Sequence, residues 1–173
     1  DQRGIAWVLT GLAAIASRQA DGVRAERLIE EGLRLHRESG NTLGAVDALL
    51  GAAFMAVGCG QLACARQLWR ESLGLCRHLD DPARAIRGLE GVAAMLATGT
   101  EPGRAARLFG AAAAHRRVLR MVLSLPDRMQ LAARIRALRQ RLGATAFQQA
   151  WRAGAALSPA AALEEATAAA LAP

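Results

Sequence analysis

Residues 25–35 read AERLIEEGLRL and residues 65–75 read ARQLWRESLGL. Laid over one another, Ala25, Leu28, Glu31, Leu33 and Leu35 meet Ala65, Leu68, Glu71, Leu73 and Leu75, each forty positions apart. A further forty on, Ala105 and Leu108 hold the same register. Upstream of each stretch Leu9, Leu49 and Leu89 align, as do Gly11, Gly51 and Gly91, and Ala13, Ala53 and Ala93. Three copies without an insertion mark an array in which every copy supplies one supersecondary unit.

Within a copy the apolar residues recur at three- and four-residue spacing, which is helical. The first helix of each copy is expected near 5–18, 44–57 and 83–97, the second near 22–38, 62–78 and 103–122. Asp21-Gly22, Gly58 to Gly60 and Thr98 to Gly103 mark turns inside copies, and Gly40-Asn41 and Asp80-Asp81-Pro82 mark turns between them. Composition agrees. Hydrophobic residues make up 53% of the chain but aromatic ones only 3%, with no tyrosine, which favours helix over strand. The hydrophobic window from Ala48 to Ala65 is long enough to suggest a membrane span, yet Gly58-Cys59-Gly60 breaks it into two buried helices.

The paired helices resemble the tetratricopeptide repeat. Leu12-Ala13, Ala52-Ala53 and Val92-Ala93 stand where that repeat has its Leu-Gly/Ala pair. Ala25/Ile29/Gly32, Ala65/Trp69/Ser72 and Ala105/Phe109/Ala112 match its small-large-small pattern. The forty-residue unit is longer than the usual 34 of that family. The expected fold is all-α: a right-handed solenoid of three hairpins, about 1–40, 41–82 and 83–122, closed by a helical cap over 123–173. In the cap, helices are expected at 127–142, 144–154 and 159–171, the last opened by Ser158-Pro159.

A second resemblance lies in the tail. Leu108-Phe109-Gly110-Ala111-Ala112, Pro126, Leu142-Gly143, Ala146-Phe147, Ala150-Trp151, Gly154 and Leu157-Ser158 look like the closing segment of bacterial ATP-binding LuxR-type regulators and related signal-transduction ATPases. The resemblance implies a sensor or scaffold part of a cytoplasmic regulator; in that family such repeats follow an ATPase module, and in some members a helix-turn-helix domain comes after. The chain carries no G-x-x-x-x-G-K-[ST] loop. It starts at Asp1 without a signal-peptide pattern, and reads as a piece of a longer protein.

No catalysis, metal or cofactor is expected. Cys64 and Cys76 lie twelve residues apart on one helix, about 18 Å at 1.5 Å per residue, too far to share an ion with Cys59 and His78. Repeat alignment sets Cys64 beside Arg24 and Arg104, and Cys76 beside His36 and Arg116, so both thiols are expected to be partly exposed. Three thiols without a disulfide framework suit a reducing compartment. His36, His78 and His115 fall near the ends of second helices, where a polar residue on the outer face is the ordinary outcome.

Two binding surfaces follow. In a tetratricopeptide superhelix the first helices line the concave side. That places Trp7, Asp47, Leu50, Phe54, Arg87 and Glu90 in a groove for a peptide, a partner domain or a small effector. The alternative for Leu50 and Phe54 is ordinary helix packing. The rival surface is basic. All 22 basic residues are arginine, and residues 104–152 hold eleven of them against Asp127 alone. Arg116, Arg117, Arg120, Arg134 and Arg141 are its expected core, for an acidic partner or nucleic acid. Lastly, Ile5, Trp7, Val8, Leu12 and Ile15 make the first helix apolar on more than one face, so self-association through it is expected.

Overall fold

A computed structural model describes residues 1–19, 21–79 and 81–171. Among them are nine helices and no strand: α1 (Gln2–Arg18), α2 (Gly22–Glu38), α3 (Thr42–Gly58), α4 (Leu62–Cys76), α5 (Pro82–Thr98), α6 (Pro102–Val118), α7 (Leu125–Leu142), α8 (Ala144–Ala155) and α9 (Pro159–Leu171). The expected helices match these to within a few residues, apart from the end of α6. Their starts are chemically specified. Asp21, Asn41 and Asp81 accept hydrogen bonds from the backbone N–H of Arg24, Gly44 and Arg84 at 3.2, 3.1 and 3.0 Å, satisfying donors that each first turn leaves free. Ser124 and Ser158 cap α7 and α9 in the same way.

The chain divides into two compact units, residues 1–80 and 81–173, so the third hairpin belongs with the tail. In the first unit, α1 packs on α2, α3 on α4, and α2 on α3. Leu33, Ala45, Ala48 and Leu49 form one core cluster with Leu68 and Leu75 against them; Ala13, Ile29 and Ala52 form another. In the second unit, α5 packs on α6, while α8 and α9 both cover α6 and α9 also reaches α5. α7 lies against α6 and α8 and has Leu138 as its buried residue.

The forty-residue register becomes equivalent packing. Ala25, Ala65 and Ala105 are wholly buried, and Ile29, Trp69 and Phe109 fill the same position four residues on. Gly58 ends α3 and Cys59-Gly60 is a turn, with Gly60 at φ 74°, and no described helix is long and apolar enough to cross a membrane.

α6 stops at Val118, short of the expected 122, because the chain turns left-handed at Arg120, φ 53°. Arg120 N–H donates to the Arg117 carbonyl and Met121 N–H to the Arg116 carbonyl, at 3.2 and 3.0 Å. This is a Schellman closure. α2 ends identically, with Gly40 at φ 65°. Arg120 therefore stands where the first repeat has glycine.

Candidate functional site

One register position carries most of the unexpected chemistry. Positions 36, 76 and 116 were expected on the outer face of the second helix, and all three face inward. His36 is fully buried and Cys76 nearly so, while the Arg116 side chain is only 12% exposed. Each polar occupant has a partner that the sequence does not announce.

His36 sits beside Trp7 of α1, ring centroids 5.5 Å apart and nearly perpendicular. Asn41 Oδ1 accepts from Gly44 N–H at 3.1 Å, so its Nδ2 donates to His36 Nδ1 at 3.2 Å. The ring proton then belongs on Nε2, which is buried without a hydrogen-bond partner. Burial holds the imidazole below its ordinary pKa, and Asp47 pulls weakly the other way. Gly44 is required here, since a Cβ would strike the imidazole. His36 is a neutral core residue, not a cation on an outer face.

Arg116 pairs with Glu90 of α5 in a mostly buried ion pair. Burial lowers the Arg116 pKa from a value so high that the group stays charged. This corrects both expected surfaces at once, because Glu90 was a groove residue and Arg116 a basic-patch residue, and each neutralises the other.

The other groove residues divide between the units. In residues 1–80, Leu50 is wholly buried, so its role is core packing; the apolar pattern of α3 does not distinguish the two. Phe54 is partly exposed and stacks edge-on against Trp69 of α4, centroids 4.8 Å apart. Trp7 is half-exposed and Asp47 partly so. In residues 81–173, Arg87 is exposed. Two surface concavities, about 480 Å³ beside Arg104, Arg107 and Glu165 and about 570 Å³ beside Arg70, Glu71 and His78, include none of the six.

The arginines of 104–152 sort into two groups. Arg104 donates to the Glu165 carbonyl at 3.2 Å, and Arg107 pairs with the Glu165 carboxylate at 2.9 Å, tying α6 to α9. Arg141 donates to the carbonyls of Ala97 and Gly99 at 2.8 and 2.6 Å, neutralising the C-terminal end of α5. Arg141 thus holds α7 in place and leaves the binding patch. Arg117, Arg120, Arg128, Arg134, Arg136, Arg139 and Arg152 are exposed, and no hydrogen bond or ion pair of their side chains occurs among the described residues. Asp127 is occupied by the Ser124 hydroxyl, which donates to it at 2.6 Å.

Cys64 and Cys59 are exposed, whereas Cys76, expected to be partly exposed, is buried because its register position is the inward one. What sequence reasoning missed lies next to the arginines: Val118, Val122, Leu125 and Met129 are all exposed. The signal was available in the register: the end of α2 at Glu38 and its turn at Gly40 fall, eighty positions on, at Val118 and Arg120. No family model, curated protein or solved structure matches the chain.

Proposed function

We propose that the chain is a non-catalytic protein-interaction module, a tetratricopeptide-type sensor or scaffold within a bacterial cytoplasmic regulator of the ATP-binding LuxR type. The family assignment draws on the repeat and tail resemblances. The interaction role draws on one structural observation. α1 buries its small residues, Ala6, Ala13 and Ala16, against its own unit and leaves Ile5, Trp7, Val8, Leu12 and Ile15 between 39% and 61% exposed. Fully burying such a side chain is worth roughly 1.5–3 kcal/mol, so covering the half of each of these five that is still exposed is worth about half as much per side chain and favours another helix against α1.

That helix belongs to a partner domain or a second copy. Light scattering across a wide concentration range is expected to show self-association of the chain, abolished by Val8→Glu with Ile15→Glu. A strict monomer throughout overturns pairing of α1 with a second copy. The groove residues Trp7, half-exposed, and Asp47 and Phe54, partly exposed, belong to the same unit and are its polar and aromatic handles. The rival reading, nucleic acid, draws on the seven unpaired arginines of 104–152. It requires binding that weakens steeply between about 50 and 200 mM salt.

A further inference from the structure

We propose that the corner between α6 and α7 is a docking surface for an acidic amphipathic helix of a protein partner. It goes beyond the α1 reading, since it concerns the other unit and a different ligand chemistry.

The first observation is apolar exposure. Val118, Val122, Leu125 and Met129 are 77, 93, 59 and 65% exposed, all within twelve residues. Single exposed apolar side chains are ordinary, but four within twelve residues of one turn exceed what a solvated corner needs. The turn that α6 makes at Arg120 puts them there: Val118 ends α6, Val122 follows the turn, and Leu125 and Met129 share one side of the first turns of α7. The core-facing positions of α7, Leu131, Ile135, Leu138 and Leu142, lie on a different side.

The second observation is the turn residue itself. Gly40 and Gly60 close α2 and α3 with left-handed backbones, and Arg120 does the same for α6. A left-handed conformation disfavours any side chain, so glycine is the residue that folding alone selects. The Arg120 side chain is exposed and makes no hydrogen bond or ion pair among the described residues. Strain of this kind, kept without an internal return, points to use at a surface.

The third is charge. Arg117, Arg120 and Arg128 are exposed and interspersed along the chain with the four apolar residues, and the nearby acid, Asp127, accepts a hydrogen bond from the Ser124 hydroxyl. Residues 81–173 carry thirteen arginines against six acids, whereas residues 1–80 carry nine of each. The cations and apolar groups are interspersed along the corner. That mixture fits a helix with leucine-like side chains at i and i+4 and carboxylates beside them, each placed to receive an arginine fork. Phosphate binding gives the exposed valines, leucine and methionine no task, and the corner lacks an aromatic residue for base stacking. Membrane-surface helices segregate their apolar and basic faces, and here they are mixed.

Fluorescence anisotropy of the full chain with a labelled synthetic helix of leucine and glutamate, leucines on one face, tests the proposal in about 0.15 M salt. Saturable binding is expected, weakened about tenfold by Met129→Asp. Arg120→Gly relieves the backbone, so it is expected to fold at least as well and still bind about fivefold more weakly. That combination separates a binding role from a structural one. Val8→Glu with Ile15→Glu is expected to leave this binding intact, so the two readings fail independently. The proposal is overturned if the peptide does not bind, if a scrambled peptide of the same composition binds as well, or if both corner variants bind normally. It is equally overturned if random duplex DNA or phosphatidylglycerol vesicles bind more tightly than the peptide through the same residues.

Discussion

At the residue scale, two side chains sit against their local backbone or solvent preference, and both have measurable consequences. A left-handed backbone costs a non-glycine residue about 1 kcal/mol, so Arg120→Gly is expected to raise stability by that amount in urea unfolding. His36 acts through pH. Its folded pKa lies below the unfolded value of about 6.5, so the unfolded chain takes up the proton first as pH falls. The stability of the first unit is therefore full above about pH 6.5 and declines as pH drops through it toward the folded pKa. Unfolding midpoints measured from about pH 7.5 to 5 are expected to show this decline, and His36→Leu is expected to flatten it. Asp81 titrates in another window. Burial pushes its carboxyl up, but hydrogen bonds from the Arg84 N–H and guanidinium outweigh this and hold it below its usual range. Its contribution is present above about pH 4 and lost below, and does not blur the histidine effect.

At the element scale, glycines let α6 and α8 cross backbone to backbone. A Cβ on Gly110 would meet the Trp151 carbonyl, and one on Gly154 the Arg107 carbonyl. These are backbone atoms, which cannot swing aside as a side chain end can. In a helix interior glycine to alanine gains roughly 0.5–1 kcal/mol of backbone entropy, while forcing extra volume into a packed crossing costs roughly 1–3 kcal/mol. The cost wins at the crossing. Gly154→Ala is expected to destabilise by about 2 kcal/mol. Gly74 of α4 is the contrast, because nothing lies within 4 Å of its Cβ position. Gly74→Ala is expected to stabilise by about 0.5–1 kcal/mol, and paired thermal melts check both signs.

At the scale of the whole molecule, each unit has its own core, with Leu33, Leu49 and Trp69 in one and Leu89, Leu108 and Phe109 in the other. Residues 81–173 expressed alone are accordingly expected to give a helical circular dichroism spectrum and a cooperative melt. An unfolded fragment would show that the core within α5–α9 is insufficient. The excess positive charge of the chain resides entirely in that unit, so solubility and non-specific anion binding are expected to follow the fragment.

The forty-residue register determined the helices, their pairing and the small residues at their contacts, because periodicity and turn chemistry are local properties of a chain. Ala25, Ala65 and Ala105 are buried for the reason they recur: only a small side chain lets neighbouring helices approach. What the sequence could not determine was which polar residues find partners. Register placed His36, Cys76 and Arg116 at one position, yet whether that position faces water depends on Asn41 and Trp7 in one unit and Glu90 in the other. The same holds for Arg141, whose acceptors are the carbonyls of Ala97 and Gly99, more than forty residues away. A buried charge is tolerated only when a distant group meets it, and such meetings arise from tertiary packing rather than from spacing along the chain.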